Sequence, residues 1–534
     1  MPYRSVLAVV LAAMVLLTAA CSHPGGAASG DRGLVFALDT EPSCLDPQVS
    51  MADATALITR GVVDSLVSQD RQGLFHPWLA TRWETSKDLT TYTFHLREGV
   101  TFHDGTPLDA AAVKASFDRI VAPATKSLYA RSLIGPYLGS TVLDAHTVRV
   151  RLSRPFQPFL QAVSTAYLGI QSPKAFTTYA GSLCDHVVGS GPYVFDKHIH
   201  QQQVTLHANP KYAWGPAGDA TGKARIHTLT FRFLPEAATR VGALRSGQVD
   251  GISPVPTPDV PAVTADSSLR LVRTEAQGAS YGLYLNTARA PFDDRRVRQA
   301  FQRSLDVDTL ARSVYGGTFQ RAWSILTPSS RNYDAKTQGS WSYDLAAAGR
   351  LLDEAGWTGR DSAGYRTKDG RRLRVIWPAT QAQLDAQQRG VLGQGIQAAA
   401  KKAGIEVVRP VLQNGPLYEA AAKGTYDILD QSWGRADPDI LRTFLDSKSL
   451  PMTGQNMSRL QEPQVDRWVD GAVTTADERE RDRDYAQAQE WVIQQATVVP
   501  VFVPAYLVAT RKDVHGLTAD PAGFPRFEHA WIAG

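Results

Sequence analysis

Three groups of residues have the types and spacing of chemical sites, and the first surrounds Ser280. This serine lies in Gly278-Ala279-Ser280-Tyr281-Gly282, which matches the Gly-x-Ser-x-Gly pattern of a hydrolase nucleophile. Such a nucleophile needs a strand before it and a helix after it, because a strained turn then exposes the hydroxyl group. Here the residues that follow, 281–286, are typical of a strand. The sequence therefore predicts no catalytic serine.

The second group is a pair of histidines, His198 and His200. Their spacing places both imidazoles on one face of a strand, where they could chelate a metal ion. No third ligand is obvious nearby, and the glutamines at 201–203 favour an exposed hairpin. We therefore expect a solvated loop and no metal site. The chain also has no zinc-protease, Cys-x-x-Cys or phosphate-loop motif, so we predict no catalytic residue and no cofactor.

The third group is the loop at 432–439, which places an aromatic ring, a glycine, a cation and a carboxylate close together. These residues are Trp433, Gly434, Arg435 and Asp437. An arginine in this position can bind a carboxylate or another anionic group through paired hydrogen bonds, or it can lie on the surface without a ligand. Asp437 directly precedes a proline, so it can either contact a ligand or cap local structure.

The elements that must position these groups alternate between strands and helices along the whole chain. Apolar runs and period-two alternation predict strands at 34–38, 91–96, 148–152, 193–195 and 405–408. Periodic apolar stripes and caps predict helices that begin at Asp109, span 293–315 and 344–355, and end at Gly404. The helix-then-strand order of the second half predicts α/β layers. A chain of 534 residues is too long for one ordinary core, so we expect two or three lobes.

The N-terminus has the features of an export signal. Arg4 precedes an apolar run that is too short for a comfortable membrane span and that ends in small residues before Cys21. The run resembles a bacterial lipobox, although Thr18 occupies the usual aliphatic position. We predict a signal peptide at 1–20, lipidation of Cys21 and a flexible tether at 21–33, with ordinary cleavage near residue 20 as the alternative.

The remaining composition restricts the class of protein. Cys44 and Cys184 are the only other cysteines, and in an oxidising compartment they form either a disulfide or two buried free thiols. The net charge is +4 without a dominant basic run, so nucleic acid is not an expected partner. No second apolar run is long enough to span a membrane, which excludes a channel.

Short motifs along the mature chain match one known family in order. They are Leu45-Asp46-Pro47, Pro77-Trp78-Leu79-Ala80, 92–108, 189–193, 246–250, 294–300, 351–357 and 433–439. With these motifs the chain resembles family 5 of the bacterial extracellular solute-binding proteins, the group that binds oligopeptides, dipeptides and nickel.

The resemblance implies a fold and a domain order. The expected fold is α/β, the two-lobed periplasmic-binding-protein fold of the cluster C type, with an extra subdomain inserted in the first lobe. Lobe I should comprise 34–70, 186–280 and 501–534, with the inserted subdomain at 71–185 and lobe II at 281–500. A ligand held between the lobes should favour their closure.

The resemblance also implies the position of the ligand. In peptide-binding relatives the tryptophan that matches Trp433 lines the ligand cavity, and a nearby aspartate pairs with the peptide amine. Here the loop is shorter, so Arg435 lies where that anchor is expected and Asp437 lies against Pro438. Tyrosine and asparagine side chains suit the wall of a cleft because they combine apolar area with a polar tip. The alternative for such residues here is that they face the core. The other expected ligand contacts are Gly434, Met51, Asp53, Tyr281, Tyr284 and Asn286.

These features together predict a binding protein and not an enzyme. We expect an exported, lipid-anchored monomer on the outer face of the cytoplasmic membrane, which delivers captured peptides to the permease and ATPase subunits of an ABC importer. The same architecture could instead bind a nickel chelate, an opine or an oligosaccharide. The alternatives from other classes are a secreted hydrolase that uses Ser280 and a sensor or chaperone-like binder without an importer.

Overall fold

A computed structural model of the chain describes residues 33–216, 223–452 and 454–533. The predicted signal peptide at 1–20, the lipidation site Cys21 and the tether up to residue 32 lie outside these residues. Within the described ranges, no helix combines the length and the apolar character that crossing a bilayer requires.

A seven-stranded mixed sheet, called the large sheet below, gathers strands from distant parts of the chain. In order across the sheet its strands are Leu269–Glu275, Ala505–Arg511, Gly251–Ser253, Leu34–Leu38, Thr228–Phe233, Gln203–Ala208 and Tyr193–Ile199. Leu34–Leu38 is central and runs parallel to both of its neighbours. Phe36 and Phe231 pack edge-on against Phe527, with ring centroids 5.1 and 5.3 Å away, so the C-terminal residues cover this sheet. Helices Ala237–Arg245 and Val260–Ala265 flank it.

The residues between two strands of the large sheet form a separate antiparallel sheet. Its four strands, in order, are Ala80–Thr85, Thr91–Leu96, Thr147–Leu152 and Tyr137–Asp144. Helix Ala110–Val121 buries Val113, Phe117 and Ile120 in the core of this region. The smaller elements around it are Asp53–Thr59, Val67–Gln69, Phe75–Pro77, Tyr129–Ile134, Phe159–Ala162 and Pro173–Thr178.

A second body is built on a three-stranded antiparallel sheet. Gly278–Leu285 is its central strand, between Ile428–Gly434 and Val498–Phe502, and each of its residues is buried. Strands Arg374–Ile376 and Glu406–Val408 pair in parallel beside it. Small strands at Gly359–Arg360, Arg366–Lys368 and Arg371–Arg372 form a short sheet. The helices are Arg295–Arg303, Val307–Tyr315, Leu345–Glu354, Gln381–Asp385, Arg389–Ala403, Asn414–Lys423, Ile440–Leu445, Pro463–Thr474 and Glu478–Gln494.

The local predictions are confirmed to within a few residues, with one exception. Asp109 caps its helix by accepting a hydrogen bond from the Ala112 N–H, and Gly404 ends a helix in the left-handed conformation. The single helix predicted at 293–315 is wrong, because the chain forms two helices there, Arg295–Arg303 and Val307–Tyr315. The Asp306 carboxylate accepts a hydrogen bond from the Thr309 N–H and so starts a new helix.

Of the two alternatives for Cys44 and Cys184, the structure shows the disulfide. Cys44 and Cys184 are joined across 140 residues of sequence, and the Leu45 N–H donates to the Cys184 carbonyl oxygen at 2.8 Å. The bridge therefore ties the segment after the first strand of the large sheet to the end of the inserted region. The large sheet, the four-stranded sheet and the three-stranded sheet take their strands from chain segments close to those expected for lobe I, the inserted subdomain and lobe II. The exact lobe boundaries stay a prediction.

Candidate ligand-binding site

Two adjacent cavities separate the large sheet, the inserted region and the second body. The larger encloses about 1490 Å³, part of it open solvent, and the smaller about 750 Å³. Asp53, Gly434 and Phe524 line both cavities. We therefore treat the two as one site and call it the cleft.

Trp433 lies near the end of the strand Ile428–Gly434 and lines the larger cavity. Its ring stacks on Tyr129 of the inserted region, with centroids 5.3 Å apart and an angle of 26° between the planes. Gly278 on the neighbouring strand has a φ of +119°, and a Cβ atom there would collide with the Trp433 carbonyl oxygen and the Arg435 backbone nitrogen. Glycine at 278 thus permits the close approach that fixes the tryptophan.

Buried ion pairs hold the loop at 432–439. The Asp437 carboxylate accepts hydrogen bonds from Arg481 at 2.9 and 3.0 Å and from the Asp439 N–H at 2.8 Å. Asp439 accepts bonds from Arg442 at 2.7 and 2.9 Å and from Arg435 at 3.1 Å. Burial raises the pKa of Asp439, but the opposing effect of Arg442 and Arg435 is larger. The pKa of Asp439 is therefore held below its usual value. Three guanidinium groups share two carboxylates, so this cluster carries one surplus positive charge.

The two charged residues predicted in this loop have different surroundings. The Asp437 carboxylate is hydrogen-bonded by Arg481 and does not line the cleft. It therefore acts as a structural anchor of the loop. Arg435 lines the smaller cavity. Its Nε atom is buried and has no hydrogen-bond partner among the described residues. Arg435 is therefore the loop residue with unused capacity to bind an anionic group.

Carboxylates line the same cavity as Arg435. Asp53, in the first turn of helix Asp53–Thr59, accepts a hydrogen bond from the Tyr506 hydroxyl at 3.2 Å, and Asp520 lines the cavity with it. The Asp53 side chain meets the solvent of the cavity, while the surrounding protein atoms shield it from bulk water. That burial raises its pKa to about 6 against the opposing effect of the Tyr506 bond, and burial also raises the pKa of Asp520. Both carboxylates would therefore gain from a cationic ligand group.

Two further arginines line the smaller cavity. Arg60 lies over the Trp78 ring, 5.0 Å from its centroid, and donates to the Ser65 hydroxyl at 3.0 Å. Burial lowers the pKa of Arg60 to about 10. Arg526 is ion-paired with Glu528. The cavity thus presents both signs of charge within one enclosed space.

The other predicted contacts lie elsewhere. Met51 is exposed and does not line the cleft. Tyr281 donates its hydroxyl to Asp430 at 2.7 Å, and the Tyr284 ring packs against Phe444. The central strand Gly278–Leu285 is covered on both faces, so alternate positions do not separate into core and cleft.

Asn286 is also buried, and its side-chain amide donates to the backbone oxygens of Gly424 and Tyr426. Ser280 is 1% exposed in the middle of the covered strand, and its hydroxyl donates to the Leu326 carbonyl oxygen at 3.2 Å. It therefore lacks the exposed turn that a hydrolase nucleophile needs.

The two histidines lie outside the cleft, and part of their interpretation is wrong. The hairpin between Tyr193–Ile199 and Gln203–Ala208 is confirmed, but the side chain of His198 is only 2% exposed and is not solvated. Glu41 lies more than 150 residues earlier in the chain, and its carboxylate is a third side chain beside His198 and His200 that could bind a metal ion. Sequence proximity could not reveal it.

Sequence reasoning also missed several residues of the cleft. Tyr129, Arg389, Tyr506 and Asp520 line it, and none lies in a motif that distinguishes it from a core or surface residue. Each reaches the cleft through tertiary structure alone.

Comparison with known proteins decides the family. Residues 75–449 match the model for the middle region of the bacterial extracellular solute-binding proteins, family 5. The chain belongs to this family. By membership, it is an exported solute-binding protein.

Individual relatives agree over nearly the full length. The chain is 27% identical over 507 residues to the probable D,D-dipeptide-binding periplasmic protein DdpA of Escherichia coli (strain K12), covering 91% of this chain and 92% of DdpA. NikA from Brucella suis in complex with Fe(III)-EDTA superposes with a TM-score of 0.83 at 26% identity, covering 94% of this chain and all of NikA.

A third comparison is with DppA from Helicobacter pylori in complex with the peptide STSA. The TM-score is 0.78 at 25% identity, covering 94% of this chain and 98% of DppA. The predicted α/β periplasmic-binding-protein fold of the family 5 protein is therefore confirmed.

Proposed function

We propose that this family 5 protein captures short peptides in the cleft and delivers them to the permease and ATPase subunits of an ABC importer. The observation that carries the proposal is the charge of the smaller cavity. Asp53 and Asp520 can receive a peptide ammonium group, and Arg435 can receive a peptide carboxylate. A zwitterionic ligand satisfies both sets, whereas an apolar ligand satisfies neither.

The relatives support a peptide as the ligand class. DdpA is named for D,D-dipeptides, and the DppA structure is a complex with the peptide STSA. Backbone and terminal charges are common to all peptides, so anchoring them allows a range of side chains. The stack of Trp433 on Tyr129 gives an apolar wall on which a peptide side chain can pack.

Closure is the expected means of signalling. Trp433 belongs to the second body, and Tyr129 to the inserted region, so their stack forms only when these parts approach. A ligand that contacts both sides of the cleft stabilises the closed form by its differential affinity. The permease would recognise that form, and the partner ATPase would supply the energy.

We also propose that Cys21 carries the lipid anchor and that the tether holds the binding lobes near the importer. Two acyl chains give stable membrane attachment, whereas a single chain gives only marginal binding. A monomer is sufficient for this role. Mass spectrometry of the mature N-terminus would detect a diacylglyceryl group on Cys21 if the proposal is right and an unmodified N-terminal peptide if it is wrong.

A second candidate function is capture of an anionic metal chelate. NikA was crystallised with Fe(III)-EDTA, and the surplus positive charge around Arg435, Arg442 and Arg481 would favour such a ligand. Asp53 and Asp520 would oppose it, since both carboxylates line the same cavity. We therefore rank peptide capture first.

Isothermal titration with end-blocked peptides separates the candidates. The protein, unfolded and refolded to remove any bound ligand, should bind an unmodified tetrapeptide. The N-acetylated form should bind more weakly because Asp53 and Asp520 lose the peptide ammonium group as a partner. The C-amidated form should also bind more weakly, because Arg435 loses the peptide carboxylate. Equal affinity for all three peptides would contradict the proposed anchoring, and tight binding of a metal chelate alone would favour the second candidate.

A further inference from the structure

Four titratable side chains from three distant parts of the chain meet beside an edge strand of the large sheet, outside the cleft. We call Glu41, Asp185, His198 and His200 the His198 cluster. Glu41 Oε1 lies 2.8 Å from His198 Nε2 and 3.1 Å from His200 Nδ1. Asp185 Oδ1 lies 3.0 Å from His198 Nδ1 and 3.2 Å from His200 Nε2. Each imidazole is therefore placed between two carboxylates.

The disulfide fixes the two acidic residues of the cluster. Glu41 lies three residues before Cys44, and Asp185 directly follows Cys184. The bond between these cysteines, together with the Leu45 N–H bond to the Cys184 carbonyl oxygen, aligns the two segments. The carboxylates are thus held by covalent structure and not only by surface side-chain packing.

The hairpin fixes the histidines. His198 packs edge-on against the buried ring of Phe233, with centroids 6.3 Å apart, while His200 remains accessible to solvent. The second oxygen of Glu41 accepts a hydrogen bond from the Gln201 N–H at 2.9 Å. The Glu41 carboxylate therefore faces two imidazole nitrogens through one oxygen and is held by the hairpin backbone through the other.

The spacing is compatible with a tetrahedral metal site. Ligand atoms about 2.0–2.1 Å from a zinc ion are about 3.4 Å apart, so the Glu41 oxygen would have to move away from His198 Nε2 and His200 Nδ1 by roughly half an ångström or less to admit an ion. The candidate ligand atoms of Glu41, His198 and His200 all lie within 4.8 Å of one another. Asp185 faces the opposite nitrogen of each imidazole, where a carboxylate orients metal-binding histidines and fixes their tautomer.

We propose that Glu41, His198 Nε2 and His200 Nδ1 bind a divalent transition-metal ion of the zinc class, with Asp185 accepting hydrogen bonds from the outer N–H groups. Imidazole and carboxylate together suit Zn²⁺, Ni²⁺ and Cu²⁺ better than Ca²⁺ or Mg²⁺. A water molecule would complete the tetrahedron on the solvent side, next to His200. Histidines bind a metal ion in their neutral form, so the two carboxylates would balance the charge of a divalent ion.

This site is separate from ligand capture. None of its four residues lines the cleft, so a metal ion there would tie the hairpin to the disulfide-linked segments and would not depend on a peptide or chelate. Its failure and the failure of the proposed function are therefore distinguishable. Changes at His198 or His200 should leave peptide affinity intact, and changes at Asp53 or Arg435 should leave metal affinity intact.

The test is equilibrium dialysis of tag-free mature protein, stripped with a chelator, against Zn²⁺. We expect one tightly bound ion per chain and a rise in melting temperature with zinc, because the ion binds the folded state. His200→Ala changes an exposed residue and should fold, yet it should abolish the tight site. Asp185→Asn should weaken zinc affinity by about 10- to 100-fold, the range for partners of metal-binding histidines.

His207→Asn is the matched control. His207 lies on the adjacent strand, is partly exposed and is 3.4 Å from Asp196, so it reproduces an isolated histidine–carboxylate pair. This variant should bind zinc like the wild type. The proposal is overturned if wild-type protein binds no tight ion, or if His200→Ala and His207→Asn have the same effect. Either result would make the His198 cluster an ion-pair network only.

Discussion

Arg481 contributes both hydrogen bonds of a buried ion pair with Asp437, and the two residues are separated by 44 positions in sequence. The pair removes Asp437 from the set of ligand anchors and leaves Arg435 as the charged loop residue that lines the cleft. Of the two roles that the sequence left open for Asp437, a ligand contact or a cap of local structure, its buried bonds to Arg481 and to the Asp439 N–H favour the structural one.

Breaking this pair should destabilise the fold. Arg481→Met leaves the Asp437 carboxylate buried without its partner, a situation that costs about 3–5 kcal/mol of unfolding free energy. Urea denaturation at pH 7 measures the change. The double variant Asp437→Leu/Arg481→Met should recover a large part of the loss, because no charge is then left unpaired. A loss below 1 kcal/mol in the single variant would show that the pair contributes little.

Arg435 should determine affinity for the peptide carboxylate. Arg435→Gln removes the cation while keeping polarity, and loss of one partner of a buried charge pair costs about 2–4 kcal/mol, or about 30- to 1000-fold in Kd. Isothermal titration with a free tetrapeptide measures this loss. The C-amidated peptide provides the control, since it should bind the variant and the wild type equally. A similar loss for both peptides would point to general damage of the cleft.

The pH dependence of binding should report on Asp53. Its pKa is raised to about 6 in the ligand-free protein, so falling pH protonates it and removes the partner of the peptide ammonium group. Affinity should therefore decline below pH 6, by up to about tenfold per pH unit. Asp53→Asn should bind more weakly at pH 7.5 and show a flatter profile between pH 5 and 7.5. Asp520 is a second titrating carboxylate in the same cavity, and the double variant with Asp520→Asn should flatten the profile further.

Stability should respond to Asp53 in the opposite direction. A carboxyl group whose pKa is higher in the folded state than in the unfolded state binds more protons when folded, so it lowers stability as pH rises from about 4 to 6. Asp53→Asn should therefore raise the melting temperature at pH 7 more than at pH 4. Thermal melts at both pH values measure the difference, and an equal shift at both would contradict the raised pKa.

The disulfide should contribute substantially to stability. Removing a cross-link that closes a loop of this length costs about 4–5 kcal/mol in the chain-entropy treatment. Cys44→Ser/Cys184→Ser should shift the urea midpoint accordingly, and a reducing agent should reproduce the shift in the wild type. The same variant should bind zinc more weakly, since Glu41 and Asp185 lose the link that aligns them. An unchanged midpoint would mean that other contacts already fix these segments.

Local patterns in the sequence revealed the local elements and the family, but not the partners of charged residues. Asp109 and Gly404 were recognisable because a helix cap depends on its immediate neighbours. Tyr281 and Tyr284 were expected in the cleft, but the strand Gly278–Leu285 is buried along its whole length and reaches the cleft through Ala279 instead. Glu41 could not be assigned to His198 from spacing, since only the disulfide and the sheet bring them together.

Native mass spectrometry of the protein as purified is the sharpest test of peptide capture. We expect a non-covalent complex whose extra mass corresponds to short peptides, released chemically intact when the protein is denatured. The Arg435→Gln variant should carry less of this ligand at equal expression. Recovery of only a metal chelate, an opine or an oligosaccharide from the cleft would contradict peptide capture, and recovery of cleaved products that depend on Ser280 would contradict the binding role itself.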